Sequence, residues 1–563
     1  MAEEGLRKES KIEVMKRESR QLRGRIADEL REETPNFSEE SIQILKFHGM
    51  YQQDDRDLRQ QRRRDGLDKA YSLMIRARIP GGVLDAEQYL QFDGLSEEFG
   101  NKTMRITTRQ TFQMHGILKE NVKETIQGIN QCLITTLGGC GDQVRNIVGC
   151  ALPVDDGVHR QMRADLLQLV DELAAKTNAY HEIWLDGEKV DLNPGEEPLY
   201  GEVYLPRKFK LAFAVEGDNC SDVYDNDLGI VAHPSGDSIE GYTLLVGGGM
   251  GRTASVKDTY PRLGTPIAFV EPQELVETAR TIVSIQRDFG NRADRRYARF
   301  KYLLDSRGIP WFTAELEARL GRKLTPPREL VWHSATDHLG WHQHGADEWC
   351  LGLFVENGRI KDEGEGEFRL KSALRRIAMD YSPSVHLTTQ QNIILGHIRA
   401  KDRAFVEALL REHGVMLPEE WSVLRQHSMA CVALPTCGLA TAESERALPL
   451  VMPDIESMLV ELGLEDEPIT IRMTGCPNGC ARPYSAEIAF VGRSPGKYDL
   501  FLGGEFYGTR LNELYRELTP IEEFVSTLRP LFLEFIENRK DNERFGDFCA
   551  RVGFEYLKEL ATV

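Results

Sequence analysis

Three short segments of the chain occur twice, in the same order and about half the chain apart. The matched pairs are RITTRQTFQMHGI (105–117) with HLTTQQNIILGHI (386–398), CALP (150–153) with CVALP (431–435), and LLVGGGMGRT (244–253) with LFLGGEFYGTR (500–510). Repeats in a fixed order indicate duplication rather than chance similarity. The sequence therefore predicts two related halves, at about 65–325 and 345–560, that follow an N-terminal arm.

The length and charge of the chain narrow its class. At 563 residues it is too long for one hydrophobic core, so we expect about two to four packed units. The net charge of −19 argues against a nucleic-acid partner, because a phosphate backbone requires a basic surface. No apolar segment approaches the ~20 residues that span a bilayer, and the N-terminus resembles neither a signal peptide nor a transit peptide. We expect a cytoplasmic protein with no membrane partner.

Four of the ten cysteines are grouped in CVALPTC and CPNGC. They are Cys431, Cys437, Cys476 and Cys480, spaced C-x5-C, then 38 residues, then C-x3-C. Structural zinc sites typically use C-x2-C or C-x4-C pairs, and redox dithiols use C-x-x-C. Four thiolates on two tight loops suit a 4Fe–4S cluster, and zinc is the main alternative. Most of the other six cysteines are interpreted as buried thiols.

The first repeated segment differs between the halves in its charged residues. If RITTRQTFQMHGI is one strand, alternate side chains share a face. That face carries Arg105, Thr107, Arg109, Thr111, Gln113 and His115. The second copy has no arginine at the matching positions, whereas the second half has the grouped cysteines. We therefore expect one composite site between the halves, although a solvated polar face would explain a single strand of this kind.

The sequence segments around the four cysteines resemble a known family. SMACVALPTCGLATAESERALP (428–449) and RMTGCPNGCARPYSAEIAFVG (472–492) closely resemble the sirohaem-containing sulfite/nitrite reductase family, and the resemblance covers nearly the whole chain. It implies an α+β, pseudo-two-fold duplicated sulfite/nitrite reductase fold, with three domains, ferredoxin-like half-domains and cofactors at the junction. The implied units are an N-terminal arm (1–64), half-domain 1 (65–135), a sirohaem-binding first repeat (140–325), half-domain 2 (345–412) and a 4Fe–4S/sirohaem second repeat (420–563).

The resemblance also implies a ligand set. The four cysteines would hold a 4Fe–4S cluster, and Cys480 would in addition be the axial ligand of the sirohaem iron. The family's cations on the substrate side of sirohaem match Arg76, Arg145, Lys208 and Lys210. Its cofactor-contacting strand matches Arg105, Arg109, Gln113 and His115, and we add Asn478 from the CPNGC turn. Arginine and lysine are suited to both sirohaem carboxylates and an anionic substrate.

The function implied is the six-electron reduction of sulfite to sulfide, as in assimilatory sulfite reductases. Motifs such as VGGGMGRT and LGGCGDQVRN look more like the ferredoxin-dependent branch, so ferredoxin is the preferred electron donor. The alternative is a haemoprotein beta subunit fed by an NADPH-dependent flavoprotein subunit. Nitrite reduction and a non-redox four-cysteine zinc protein are weaker alternatives.

Two further motifs receive ordinary interpretations. VGGGMGRTA (246–254) lacks the G-x-G-x-x-G spacing of a dinucleotide site, so we expect a turn whose amides face a cofactor carboxylate. WHSATDHLGWHQHGADEW (332–349) contains four histidines, which we interpret as part of a polar loop that opens the second repeat rather than as a metal site.

Overall fold

The structure is a computed structural model that describes residues 9–176, 183–185, 188–190, 197–254, 256–364 and 368–560. The strands, numbered in chain order, are β1 Met50–Asp54, β2 Tyr71–Arg76, β3 Val83–Leu84, β4 Met104–Ile106, β5 Phe112–Ile117, β6 Ile183–Leu185, β7 Glu188–Val190, β8 Leu211–Val215, β9 Gly217–Asp218, β10 Leu228–Ser235, β11 Ser238–Val246, β12 Thr265–Val270, β13 Trp332–Ser334, β14 Gly340–Gln343, β15 Glu348–Leu353, β16 Arg359–Ile360, β17 Ser384–Leu387, β18 Ile393–Arg399, β19 Ser428–Ala430, β20 Ile471–Thr474, β21 Ile488–Ser494, β22 Lys497–Leu502 and β23 Glu513–Pro520.

The α-helices flank these strands. They are α1 Lys11–Glu18, α2 Ile26–Glu29, α3 Glu39–Leu45, α4 Arg59–Arg64, α5 Ala86–Glu98, α6 Val122–Gln131, α7 Gly157–Glu172, α8 Leu275–Phe289, α9 Phe300–Arg307, α10 Ile309–Leu320, α11 Leu370–Tyr381, α12 Arg403–Glu412, α13 Val423–Gln426, α14 Leu448–Glu461, α15 Phe524–Asn538, α16 Phe545–Val552 and α17 Phe554–Leu560. The predicted α+β class is confirmed.

The two half-domains exchange a strand with each other. One sheet has the order β1-β2-β5-β4-β16 and the other has the matching order β14-β15-β18-β17-β3. Strand β16 of the second half thus completes the first sheet, with Arg359 opposite Arg105, and β3 of the first half completes the second, with Val83 opposite His386. The exchange explains why both sheets share one hydrophobic core, to which Leu73 and Leu351 contribute.

Two larger sheets form the remaining domains. The first has the order β12-β11-β10-β8-β9-β13, and the second has the order β19-β20-β21-β22-β23. In both, a parallel pair (β8 with β10, and β20 with β21) is followed by an antiparallel hairpin. Each of these sheets packs on its own core, so the described part of the chain has three main cores. The duplication predicted from the repeats is visible in the topology.

Local sequence signals set the ends of the half-domain elements. Helix α5 begins with a capping box, in which the Asp85 carboxylate accepts from the Gln88 N–H (2.7 Å) and the Gln88 amide oxygen accepts from the Asp85 N–H (3.1 Å). Its buried face, which includes Tyr89 and Phe92, packs on the first sheet.

The expectation of one continuous strand over 105–117 is wrong. Strands β4 and β5 are two arms of a hairpin, because the chain turns between Thr107 and Thr111. The Thr107 N–H donates to Thr111 O (3.0 Å), and Gln110 adopts a left-handed conformation with φ of 51°. Arg105 and Gln113 lie opposite each other in the two arms and so remain neighbours, whereas Arg109 lies in the turn.

Among the described residues, none of the helices is both long enough and apolar enough to cross a bilayer.

Candidate active site

The two cysteine-bearing loops leave the same end of two neighbouring strands. Strands β19 and β20 are adjacent and parallel. Cys431 follows directly after β19, and Cys476 lies two residues beyond the end of β20. Because parallel strands run in the same direction, both loops emerge at one edge of the sheet. A hydrogen bond of 3.1 Å from the Cys431 N–H to Met473 O joins them there.

The four predicted cysteines interact with one another. Burial, followed by the charge of Cys480, raises the pKa of the Cys431 thiol, and the same two causes raise the pKa of Cys437. They also raise the pKa of Cys476 to about 11. Four thiols that repel one another in their ionised form suit a shared cationic centre, since bound iron offsets the negative charge.

Two donors point at the sulfur atoms. The Gly475 N–H donates to Cys431 Sγ at 3.4 Å, and Asn478 Nδ2 donates to Cys476 Sγ at 3.4 Å. Hydrogen bonds to ligand sulfur tune the reduction potential of iron–sulfur clusters. Asn478, predicted to contact the cofactors, therefore lies beside a predicted ligand.

Residues outside the cysteine motifs hold the first loop. The Arg56 guanidinium donates to Cys437 O (3.2 Å) and to Ala440 O (2.6 Å). Arg56 belongs to the N-terminal arm, in a basic run that by sequence is most simply a solvated surface. Its position at the cysteine loop could not be predicted from the run, because the two segments are 381 residues apart.

An ion pair joins the two halves of the repeat. Asp222 and Arg482 occupy matching positions, both left-handed (φ 49° and 51°) and both followed by a short helical turn. Their side chains meet, with Arg482 Nε 2.6 Å from Asp222 Oδ2. Thr108 and Thr389 also occupy matching positions in the repeat. Thr108 Oγ1 donates to Cys480 O (3.2 Å), and Thr389 Oγ1 donates to Cys220 O (2.6 Å). Cys220 is thus the counterpart of Cys480 in the first half.

The cations of the first half form one group. We call it the cation cluster, and its members are Arg76, Arg109, Arg145, Arg207, Lys208, Lys210 and Arg299. Burial, together with Arg299, Lys210, Arg207 and Arg145, holds the pKa of Lys208 well below its usual range. Burial, together with Arg482, Arg145 and Arg76, also lowers the pKa of Arg109, although Asp227 opposes the shift.

Lys210 connects the cation cluster to the cysteine site. Burial lowers its pKa to about 7, helped by the charges of Arg109 and Arg299, whereas Asp227 and Cys480 act in the opposite direction. The thiol of Cys480 is exposed, unlike the buried thiols of Cys431 and Cys476. The most accessible cysteine of the four is therefore the one whose charge acts on Lys210.

Several cations are fixed by the protein itself. Arg109 donates to Asn226 Oδ1 (2.6 Å), and Arg145 Nε donates to Gly141 O (2.8 Å). Gln113 accepts from Arg76 across β2 and β5 when its amide is oriented with oxygen toward the guanidinium. These contacts preorganise the positive charges rather than neutralise them, because most of the acceptors are uncharged.

Arg105 and His115 lie at a contact between domains. Arg105 Nε is 3.0 Å from Glu445 Oε2, and Arg359 Nε is 2.6 Å from Glu445 Oε1. Burial and Arg359 hold the pKa of His115 well below its ordinary value, so its ring is neutral at pH 7. Glu445, which the sequence did not single out, neutralises part of the charge near the predicted cofactor strand.

The glycine-rich turn of the first half packs on the second cysteine loop. The Arg252 N–H donates to Pro477 O at 2.9 Å. A Cβ on Gly251 would lie 3.1 Å from Asn478 O, and Gly479, with φ of +65°, has Met250 O 3.1 Å from the place of its missing Cβ. A side chain at either position would crowd a backbone oxygen, and the positive φ of Gly479 also favours glycine there. That the amides of the turn face a cofactor carboxylate stays a prediction.

The geometry fits the expected cofactors. The Nε atoms of Arg109 and Arg299 are buried and have no hydrogen-bond partner among the residues that the structure describes. Buried donors without an acceptor are costly, so a ligand rich in carboxylates suits this place. Sirohaem is such a ligand, and the four thiols beside it suit a 4Fe–4S cluster. Arg207 and Arg299 were not predicted from the sequence. Arg207 directly precedes the predicted Lys208, whereas no local signal marks Arg299.

Comparisons with known proteins show which family the chain belongs to. Family models describe residues 169–324 as a nitrite and sulphite reductase 4Fe-4S domain, and residues 65–132 and 342–413 as nitrite/sulfite reductase ferredoxin-like half domains. A protein of Oceanobacillus iheyensis, named sulfite reductase (NADPH) hemoprotein beta-component, is 47% identical over 551 residues, which cover 98% of this chain and 95% of that protein. A protein of the same name from Staphylococcus haemolyticus is 45% identical over 555 residues, covering 98% and 96%.

A solved structure shows the same fold. The Mycobacterium tuberculosis NirA protein matches with a TM-score of 0.78 over 98% of both chains, at 24% sequence identity. With relatives this similar along almost its entire length, and with family domains matched over residues 65–132, 169–324 and 342–413, the chain belongs to the nitrite and sulfite reductase family of sirohaem and 4Fe–4S haemoproteins.

Proposed function

We propose that this chain is the haemoprotein subunit of an NADPH-dependent sulfite reductase, which reduces sulfite to sulfide by six electrons. The observation that carries the proposal is the cation cluster, whose members are buried or half-buried and whose Lys210 interacts electrostatically with Cys480. A non-redox zinc protein would not need such a cluster. The choice of sulfite over nitrite is supported by the names of the relatives.

The cysteines and cations have separate roles in this proposal. Cys431, Cys437, Cys476 and Cys480 would hold the 4Fe–4S cluster, and Cys480 would also hold the sirohaem iron. When bound, sirohaem supplies an iron that accepts sulfite as a Lewis acid and delivers electrons to it. Arg76 and Arg145 stabilise the oxyanion, and Lys208 and Lys210 do the same from the next loop. Arg109, Gln113 and Asn478 orient the cofactors. Arg105 and His115 position the hairpin of β4 and β5 through the contact with Glu445.

Lys208 and Lys210 are also the candidate proton donors. The pKa of Lys210, about 7, lies well below the ordinary lysine value of 10.5 because desolvation and the charges of Arg109 and Arg299 disfavour its protonated form. An ammonium group of this acidity gives up its proton more readily than an exposed lysine. A bound anion would raise this pKa, and loss of oxygen from the substrate as water would lower it again.

We replace ferredoxin, the electron donor favoured by the sequence, with the alternative, an NADPH-dependent flavoprotein subunit. The relatives carry the name of an NADPH-dependent enzyme component, which supports a flavoprotein subunit rather than ferredoxin. Two of the motifs behind the ferredoxin preference lie at or near the predicted cofactor residues, since Arg252 of VGGGMGRT contacts the cysteine loop and residues 138–146 of LGGCGDQVRN are buried. Such motifs describe the cofactor pocket and carry little information about the surface that receives electrons.

The test is anaerobic sulfide formation by the cofactor-loaded protein. Three donors are compared: reduced methyl viologen, reduced ferredoxin, and NADPH with the flavoprotein component of an NADPH-dependent sulfite reductase. We expect sulfide with the dye and with the flavoprotein, and a higher kcat/KM for sulfite than for nitrite. Sulfide with ferredoxin but not with the flavoprotein would overturn the donor, and no sulfide with the dye would overturn the activity itself.

A further inference from the structure

The first half contains a second pair of loops with the geometry of the cysteine loops. Val148 pairs in parallel with Ala212 of β8, as β19 pairs in parallel with β20. Cys150 follows the first segment and Cys220 follows the second, so both leave the same edge of the sheet. The Thr389 hydroxyl holds the loop of Cys220 just as Thr108 holds that of Cys480. One thiol on each loop is thus retained where the second half has two.

Two further ligand types converge on these thiols. The side chains of Cys150, Asp218, Cys220 and His338 offer ligand atoms that all lie within 4.8 Å of one another. His338 Nε2 is 3.7 Å from Cys150 Sγ and 3.2 Å from Asp218 Oδ2. His338 comes from the loop before β14, which by sequence is a polar loop, and the tertiary structure places it between the two halves of the repeat.

The carboxylate is oriented for a ligand role. The Cys220 N–H donates to Asp218 Oδ1 at 3.1 Å, which leaves Oδ2 directed at His338. Outer hydrogen bonds of this kind fix ligand geometry in metal sites. Cys220 is buried, and the other three side chains are half-buried. A cavity of about 260 Å³ beside Cys150, lined also by Gly149 and His159, offers an entry path for an ion.

We propose that Cys150, Cys220, His338 and Asp218 form a mononuclear divalent-metal site, with Zn²⁺ as the preferred ion, at the position that the pseudo-two-fold axis relates to the 4Fe–4S cluster. Two thiolates, one imidazole and one carboxylate are a complete tetrahedral donor set for zinc. A cubane cluster is excluded here because it requires four cysteine ligands, and the site has two. The proposal is independent of sulfite reduction, since it concerns a structural ion and not an electron carrier.

The test measures metal in the intact holoenzyme, without reference to activity. Zinc and iron are quantified by mass spectrometry after loading with Zn²⁺ and removal of loose ions, and we expect about one zinc per chain in addition to the cofactor iron. Zinc K-edge absorption, which iron does not disturb, should show two sulfur neighbours at about 2.3 Å and two lighter neighbours at about 2.0–2.2 Å.

Two variants and a control locate the ion. Cys220→Ala should abolish the bound zinc, and His338→Gln, in a half-exposed loop, should weaken its retention at least tenfold with the sirohaem spectrum unchanged. Cys132→Ala removes a half-buried thiol elsewhere and should leave the zinc content unaltered. The proposal is overturned if the wild-type protein binds no stoichiometric divalent ion, if both site variants keep it, or if peptide mapping shows a Cys150–Cys220 disulfide.

Discussion

The ion pair between the two halves allows a quantitative prediction. Asp222 Oδ2 lies 2.9 Å from Arg472 Nη2 and 2.6 Å from Arg482 Nε, and all three side chains are at most 7% exposed. The change Asp222→Asn removes the carboxylate and leaves two buried guanidinium groups. Breaking a buried ion pair by removing one partner costs about 3–5 kcal/mol, because the remaining charge is uncompensated.

A second carboxylate decides where in that range the cost falls. Asp225 Oδ2 is 3.8 Å from Arg482 Nε, and burial together with the charge of Asp222 raises the pKa of Asp225 to about 7. In Asp222→Asn the second cause disappears, so the pKa of Asp225 falls and its carboxylate becomes fully charged beside Arg482. We therefore expect the lower value, about 3 kcal/mol. Asp225→Asn alone should cost about 1 kcal/mol or less, since this carboxyl is half protonated at neutral pH.

The measurement is urea unfolding of the holoenzyme followed by tryptophan fluorescence. A loss of about 3 kcal/mol corresponds to a shift of about 1 M in the urea midpoint if m is about 3 kcal/mol per molar. The double variant should lose more than the sum of the single variants, because Asp225 can no longer compensate. The reasoning is refuted if Asp222→Asn shifts the midpoint less than Asp225→Asn does, or if the two changes are additive.

The pH dependence has a defined sign. The pKa of Asp225 in the folded protein, about 7, lies above its ordinary value of 3.8. Between these two pH values the folded protein holds a proton that the unfolded chain releases. The stability contributed by Asp225 therefore falls as pH rises. The pKa of Asp222 is lowered by Arg472 and Arg482 against the effect of burial, so its stabilising contribution is present above pH 3.8 and is lost as pH falls below it. Asp222→Asn should therefore flatten the dependence of the urea midpoint between about pH 5.5 and 7.

Three other predictions concern the site. Cys480→Ser should abolish sulfide formation with reduced methyl viologen, and a variant with full activity and both cofactor spectra would contradict the bridging role. Lys210→Met should leave the visible spectrum nearly intact and lower kcat by about 10²-fold or more, whereas an equal loss of bound sirohaem would make this lysine a cofactor ligand. Glu445→Gln should destabilise the protein by about 3 kcal/mol, because Arg105 and Arg359 lose their shared carboxylate; an unchanged unfolding midpoint would show that the contact is solvated.

A matched control accompanies the lysine variant. Lys257 is exposed and lies outside the cation cluster, so Lys257→Met removes the same functional group without touching the site. Its kcat should equal that of the wild-type protein within a factor of about two, since surface substitutions of this kind change little.

Local sequence was sufficient where the chemistry is carried by short motifs. The four cysteines lie in two loops of seven and five residues, and the eight expected cations and polar residues of the first half lie in four short segments, at 76, 105–115, 145 and 208–210. The cysteines were singled out by their spacing, whereas the roles of the eight other residues are implied by the resemblance of these segments to the family and stay predictions. The repeats likewise predicted the matching sheets, since strand order follows from the order of segments that fold in the same way.

Tertiary structure decided the features that depend on chain segments far apart in sequence. The continuous strand expected over 105–117 became a hairpin because its alternation is equally compatible with two short arms around Thr107 and Thr111. Arg299, Arg56 and Glu445 reach the site from other elements, and no local pattern marks them.

The contact between Asp222 and Arg482 also could not be predicted from local sequence. The same holds for the contact of Cys150 and Cys220 with His338. Sequence by itself determined which groups are available for redox and metal chemistry, together with the duplication that repeats their framework. Only the packed structure decided which of these groups face one another, because burial and charge pairing depend on contacts that close loops of hundreds of residues.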